Sequence, residues 1–384
     1  MKQGTTYQKL GDVCDVINGL WKGKKPPYVK VGVIRNANFT KSFTLRYDNI
    51  EYLDVEVRQF EKRKLQKGDL IIEKSGGSEK QPVGRAVLFE REDGEFSFSN
   101  FTSILRIKDK ESFNSKFLFY FLLFIYKRGD TLGMQKATTG IHNIEFEKYL
   151  NISVPVISRS EQERIDERLD AAFAQIDELK SNAEKQLTEA RALFQSALTQ
   201  VMQPKPGWQE KTLPDISENL DSIRVPVTKK NRSTGIYPYY GASGIVDYVD
   251  DYLFDEDLLC ISEDGANLIM RTYPIAFPIK GKVWVNNHAH VLRFNNLTTQ
   301  KYVEYYFEGL KLDEYITGAA QPKLTQKALN RIVINLPSSI NEQQSIVSCL
   351  DSLLNHVKEI EEINRKTAAE CDALKQALLR QIFE

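Results

Sequence analysis

An α+β architecture is predicted for this 384-residue sequence by three observations. The sequence repeats itself, each repeat ends in a long amphipathic stretch, and the part before each stretch is rich in short β-like runs. The expected arrangement is two mixed α/β modules alternating with two long helices. The helices should pair as an antiparallel coiled coil and give the chain pseudo-two-fold symmetry. The divisions fall at residues 1–159, 160–203, 204–339 and 340–384.

The repeat is read from matched segments that keep their order at an offset of about 180 to 188 residues. GDLII (Gly68–Ile72) returns as EDLLCI (Glu256–Ile261), and NFTSILRI (Asn100–Ile107) as NHAHVLRF (Asn287–Phe294). EKYLNISVPVISRSEQERI (Glu147–Ile165) returns as KALNRIVINLPSSINEQQSI (Lys327–Ile346). In the first repeat, Val29–Ile34, Asp69–Lys74, Arg85–Arg91 and Phe101–Ile107 carry the β-branched and aromatic content of strands. Asp257–Ser262, Lys282–Asn286 and His290–Phe294 do the same in the second. Gly-rich loops are expected at Ser75–Ser78, Gly241–Gly244 and Glu263–Asn267, and a short helix late in each repeat, over Phe117–Arg128 and Tyr302–Lys311.

The long helices are argued from spacing. Ser160 with Glu163 reads as a capping box, the hydroxyl and carboxylate each satisfying a free backbone amide. Behind it Ile165, Leu169, Ala172, Ile176, Leu179, Ala183, Leu187, Ala190, Phe194, Ala197 and Val201 recur mostly three and four apart. Pro204, Pro206 and Gly207 then end the run. The second helix repeats the spacing with Ile346, Leu350, Leu353, Val357, Ile360, Asn364, Thr367, Cys371, Leu374 and Leu378. Some 40 residues at 1.5 Å each make a rod of about 60 Å, and its continuous apolar stripe needs a partner. The other helix is the simplest one. The expected seam comprises Ile165, Leu169, Ile176, Leu179, Leu187 and Phe194 against Leu350, Leu353, Val357, Ile360, Leu374 and Leu378.

Composition narrows the function. No apolar run reaches the roughly 18 to 20 residues a bilayer crossing needs, and the start lacks a signal peptide's apolar core. A cytoplasmic protein without a membrane partner is expected. Cys14, Cys260, Cys349 and Cys371 are scattered, as reduced thiols would be. The net charge of zero conceals a split: residues 1–159 carry 27 Lys and Arg against 19 Asp and Glu, and residues 160–203 carry 5 against 9. Residues 204–339 carry 15 against 16, and residues 340–384 carry 5 against 8. A basic first module with acidic helices suits a DNA-facing part joined to a protein-facing spacer.

No catalytic constellation emerges. Lys25-Pro-Pro-Tyr28 resembles the catalytic loop of amino-methyltransferases, but Lys25 is donor-only and cannot accept from a target amine. Asp69 and Glu73-Lys74 approach a nuclease metal pattern without its spacing, and no phosphate-binding Walker loop is present. His288 and His290 could share a strand face, yet lack a third ligand. The chain is therefore expected to be non-catalytic, with no metal and no cofactor of its own.

Groups suited to DNA are better represented. Lys22, Lys24 and Lys25 beside Trp21 form a basic loop; Lys74, Ser75, Gly76, Gly77, Ser78, Lys80 and Gln81 form a small, donor-rich one. Lys136, Thr138, Thr139, His142 and Asn143 follow. In the second repeat the candidates are Lys229, Lys230, Arg232, Tyr239, Tyr240, Ser243, Asn267, Asn286, Asn287 and His288, with Gln321 and Lys323 in the place of His142. Any one of them alone is more simply a solvated loop residue. Their recurrence in corresponding places favours a DNA surface.

The run Ile236–Leu268 resembles the target-recognition domain of type I restriction–modification specificity subunits, and Gly68–Ser78 with Asn100–Arg106 its variant form. The junctions from Pro155 to Glu161-Gln162 and from Pro337 to Glu342-Gln343 are similar to that family's entry into its spacer helices. The resemblance spans essentially the whole chain and implies a DNA-reading subunit. Each module would read one half of a bipartite, asymmetric target, the two faces about one DNA turn, 34 Å, apart. The helix pair would act as ruler and dock two modification subunits, with restriction subunits joining the larger complex. S-adenosylmethionine, ATP and Mg²⁺ would belong to those partners.

Overall fold

The computed structural model describes residues 5–21, 23–79, 81–138, 140–318 and 320–384. Four helices longer than ten residues organise it: α1 (Ser115–Arg128), α2 (Arg159–Val201), α3 (Leu297–Gly309) and α4 (Ile340–Phe383). Two compact units result. The first comprises residues 1–182 with 366–384, the second residues 183–365. Among the described residues no helix is long and apolar enough to cross a membrane.

In the first unit, an antiparallel sheet orders Cys14–Asn18, Thr102–Ile107, Leu70–Glu73 and Ala86–Leu88. The run Leu70–Glu73 is buried at every position, as a strand covered on both faces must be. A second sheet orders Glu51–Glu56, Tyr28–Ile34 and Phe96–Phe98, the last two parallel. The edge strand Thr6–Lys9 closes onto Ser153–Val156.

The second unit repeats this plan. Ser217–Asn219, Ala289–Phe294, Leu258–Ser262 and Ala276–Ile279 form the antiparallel sheet. Gly244–Val249, Thr234–Gly241, Lys282–Val285 and Phe254–Asp255 form the other, again with one parallel pair, Thr234–Gly241 with Lys282–Val285, and with Phe254–Asp255 added as a fourth strand. Gln209–Thr212 closes onto Val333–Leu336. The strands expected from β-branched runs are present in both units, and several polar strands were not expected at all.

Each module grips the long helices in the same way. Helix α1 is apolar nearly all round and is capped by Asn114 and by Gly129 at φ 91°. Its Lys116 and Tyr120 hold Asp170 of α2 at 2.7 and 2.5 Å. In the second unit Tyr305 of α3 holds Asp351 of α4 at 2.5 Å, with Lys301 close by. Buried Gln162 accepts from the Asn114 amide and donates to the Ser112 and Ile157 carbonyls, whereas Gln343 accepts from Thr299 and donates to the Pro337 carbonyl. The opposite end of the other helix completes each core. Phe383 packs against Phe117, Phe121 and Phe124 in the first unit, and Phe194 against Tyr305 in the second.

The helices run antiparallel where they meet. Asp177 pairs with Lys375 and Lys180 with Asp372 in the first unit, and Arg191 with Glu361 in the second. Exposed pairs of this kind set register more than they stabilise. Leu169 and Leu350 are fully buried; Ile165, Ile176, Phe194 and Val357 nearly so. Leu187, Leu353, Ile360 and Leu378 are half-buried.

Three expectations need correction. Leu179 and Leu374 are 55% and 50% exposed, so they lie off the seam; Leu198 and Leu379 are buried instead. The modules cover the helix ends, so the apolar stripe is not buried by helix pairing alone. The first helix is capped by Ser158 rather than Ser160: Ser158 Oγ accepts from the Glu161 amide, while Glu163 pairs with Arg159. Arg159 also donates to the Lys110 carbonyl, which anchors the first turn two residues early.

Candidate nucleic-acid interface

In the first module the expected Gly-rich loop is a strand. Ser75–Gly77 pairs with Ile141–Ile144, which pairs with Gln135–Thr138, so Ser75, Gly76, Gly77, Lys136, Thr138, His142 and Asn143 share one small sheet. Ser75 and Gly77 are buried, which takes the Ser75 hydroxyl and the Gly77 backbone away from the surface. A Cβ on Gly77 would lie 2.8 Å from Val83 and 2.9 Å from the Gln81 carbonyl oxygen, so only glycine fits the close approach. Ser78 and Gln81 close a tight turn on each other. Lys24 and Lys25 are exposed elsewhere, their amides directed at Glu56. Lys22, Lys80 and Thr139 lie outside the described residues.

Lys74 is half-buried, and burial alone pulls its ammonium below the ordinary lysine range. A cation left in that state gains from any anion that reaches it. Beneath it, Glu73 is paired with Arg85 at 2.6 Å in near-complete burial.

Beside this sheet lies a recess that the sequence did not single out, walled by Leu20, Trp21, Val33, Leu53 and Phe101. Arg35, Asn36, Glu51, Ser99 and Asn100 supply its polar lining. Asn36 Nδ2 donates to the Ser75 carbonyl at 2.6 Å, tying the recess to the small sheet. One signal does lie in the sequence: Asn100 aligns in the repeat with Asn287, a candidate contact of the second module.

The second module gathers its candidates at the corresponding edge. Arg232, Ser243, Asn267, Asn286 and His288 line one recess floored by small residues, among them Gly241, Ala242, Gly265 and Ala266. The sheet of the first module is reduced here to bridges joining Lys323 to Asp264 and Thr317. Gly265 at φ 105° stands where Gly76 stands at φ 104°. Lys229, Lys230, Asn287 and Gln321 are exposed nearby in sequence.

Some candidates have other work. Tyr239 is 1% exposed and bonded to Val227, so it belongs to the core. Tyr240 stacks on Phe277. Arg232 lies 4.2 Å over the Tyr239 ring and bonds Asp247 and the Val227 carbonyl. Asn267 spends its amide on both backbone groups of Tyr273. Asn286 accepts from the His288 amide, and His288 faces Asp264 at 2.9 Å.

The sequence did not indicate the charge network below this edge. His290 places Nδ1 2.6 Å from Asp221 and Nε2 2.8 Å from the Leu324 carbonyl. Glu263 bonds Arg224 at 2.7 Å and Lys323 at 3.0 Å. Burial pushes Asp221 up, but bonds from His290 and the Val291 amide, with the charge of Arg224, leave it below the usual carboxylate range. Glu263 is likewise depressed, its burial outweighed chiefly by Arg224, His290 and Lys323. Asp221, Glu263 and His290 are close enough to hold a cation. Their ligand atoms are already matched to Arg224, Lys323 and a carbonyl, so the group reads as structural. The two histidines do not converge.

Two modules of one topology, each with a recess at the same edge and each seated on antiparallel helix segments, define a tandem binding scaffold. The profile of the type I restriction modification DNA specificity domain matches residues 3–189 and again residues 205–370. The chain belongs to that family.

Among curated relatives, the putative type I restriction enzyme specificity subunit S.HindORF215P of Haemophilus influenzae is 32% identical over 143 residues, 37% of this chain and 36% of that protein. The EcoprrI specificity subunit of Escherichia coli is 26% identical over 141 residues, 36% of this chain and 33% of that protein. The matches thus span about a third of each relative. The fold is shared with a structure described as the basis of assembly and conformational transition of the type I R-M system, with TM-score 0.77 and 18% identity over 100% of this chain and 98% of that one. The HsdS subunit of Thermoanaerobacter tengcongensis gives TM-score 0.59 and 19% identity over 100% and 97%.

Proposed function

We propose that the chain is the non-catalytic, sequence-specific DNA-binding subunit of a type I restriction–modification complex. Each module reads one half of a bipartite, asymmetric target. The observation that carries this reading is the recurrence of a recess carrying hydrogen-bonding side chains at the same edge of both modules, built from different residues. A shared scaffold with unlike linings suits two unlike half-sites. The basic first module supplies sequence-independent attraction to phosphates, and the base-facing groups are the amides, hydroxyls and imidazoles of the two edges.

The helix pair serves as ruler between the half-sites and as docking surface for two modification subunits, which bring S-adenosylmethionine; restriction subunits with ATP and Mg²⁺ join them. The modules lie in residues 1–159 and 204–339, the spacers in 160–203 and 340–384. A gel shift with modification subunits across a salt series is the first test. Affinity should fall steeply with salt and depend on sequence; no DNA binding in any combination points to a protein-binding adaptor instead. Removing one heptad from each helix should change the preferred spacer and leave both half-sites intact. An unchanged spacer overturns the ruler.

A further inference from the structure

Three polar atoms that are buried without a partner belong to residues lining one recess, that of the first module: Arg35 Nε, Asn36 Oδ1 and Ser99 Oγ. Buried donors and acceptors left unmade are costly, and native structures keep few of them. The orientation of Asn36 is fixed by its Nδ2 bond to the Ser75 carbonyl, which leaves an acceptor free. Arg35 bonds Glu51 and is 40% exposed, so its guanidinium can turn toward a ligand. Trp21 and Phe101, in the same recess, are 65% and 48% exposed.

We propose that this recess binds a single nucleobase drawn out of the DNA stack. Trp21 and Phe101 cover its faces, and Arg35, Asn36 and Ser99 bond its edge. The proposal rests on the DNA-reading function above. An occupant must be apolar on its faces and carry both donors and acceptors on its rim, which describes a base and not an aliphatic side chain. The recess, about 420 Å³, lies at the lower end of the roughly 300–1,000 Å³ of small-molecule pockets, and is too small for a helix. It also adjoins the Ser75–Gly77 strand through Asn36, so a base entering it leaves DNA already engaged by that edge. The recess of the second module has small residues, Gly241, Ala242, Ser243 and Gly265, and a single ring, His288, which already faces Asp264, where the first has the Trp21 and Phe101 pair. Capture is therefore confined to the first half-site.

The test uses the complex of the full chain with its modification subunits and duplexes carrying the mapped target. Mismatches and abasic sites are placed on one strand at a time across the half-site that changes when residues 1–159 are exchanged. At one position, mismatching a base's partner should tighten binding about tenfold, because unstacking is prepaid, and deleting that base should weaken it. Trp21→Ala should abolish both effects and Ser99→Ala should reduce them. A base drawn out by a modification subunit responds equally in the wild type and in both variants, and so is separated. If no position depends on Trp21 while sequence-specific binding persists, base capture is overturned and DNA reading stands. No sequence-specific binding by the wild-type complex overturns both. Loss of the modification subunits from the Trp21→Ala complex assigns the recess to a protein partner and overturns the proposal.

Discussion

The two modules share the order of the four-stranded antiparallel sheet, a parallel strand pair in the second sheet and the grip on the long helices, and diverge at the edge where the candidate contacts collect. In the first module that edge is held by a backbone ladder, Ser75–Gly77 to Ile141–Ile144 to Gln135–Thr138. In the second it is held by charge: Lys323 makes isolated bridges, and Asp221, Glu263, His290 and Arg224 fill the space beneath. A ladder leaves basic side chains free for an external anion, as at Lys74. A network consumes them, since Arg224, Arg232 and Lys323 all face carboxylates of their own module. One scaffold tolerates both solutions because the sheets behind the edge are unchanged.

The comparison breaks most visibly if Arg224 is removed. Arg224→Ala removes the cation that Asp221 and Glu263 share in the buried network, and the second unit should lose about 3–5 kcal/mol, read by chemical denaturation. A loss below about 1 kcal/mol would mean that the network does not brace this edge. The shared helix grip is tested next. Leu169→Ala in the first unit and Leu198→Ala in the second should each cost about 2–5 kcal/mol, whereas Leu179→Ala and Leu374→Ala should cost less than about 1 kcal/mol. Equal losses at all four sites would restore the continuous seam expected from spacing.

Opposite pH responses separate the units further. Asp221 and Glu263 are depressed, so in the acid range the folded second unit binds fewer protons than its unfolded chain. Its stability is present above the ordinary carboxylate range and is lost as pH falls through the depressed values. Asp166, in the first unit, is pushed from 3.8 up to about 7 by burial and by neighbouring Asp170. There the folded state holds the extra proton, so stability falls as pH rises from the ordinary value through about 7. Asp166→Asn should flatten that decline in thermal scans between these limits; an unaltered slope would show that Asp166 does not titrate with folding. The smallest effect is at the helix start, where Ser158→Ala should cost about 1 kcal/mol and Ser160→Ala almost nothing. The reverse order would return the cap to Ser160.

The repeat, the long helices and the strands with β-branched runs were legible because each leaves a periodic pattern along the chain. Polar strands were not: Ser75–Gly77 and Gln135–Thr138 have no alternation of their own and exist because Ile141–Ile144 lies between them. The candidate contacts were partly legible. Asn286, His288 and Ser243 do reach one recess, since each sits at a strand end whose position the repeat fixes. Tyr239 differs from its expectation because two adjacent tyrosines, Tyr239 and Tyr240, look the same in sequence whichever of them faces the core. Arg35, Asn36 and Ser99 escaped because nothing near them in sequence marks a pocket; they meet only when the two strands they follow run parallel.

The sequence by itself determined the duplication, the helix lengths and the segregation of charge, all of which are written as local spacing and composition. The tertiary structure decided which charges remain free. Arg224 and Glu263 are dozens of residues apart, and only folding brings them within bonding distance, where each cancels a charge that composition had counted as available. It also decided what covers the helix ends, because Phe383 and Phe194 are buried by modules far from them in sequence. Local pattern fixes what an element is, and burial against a distant partner fixes what its side chains can do.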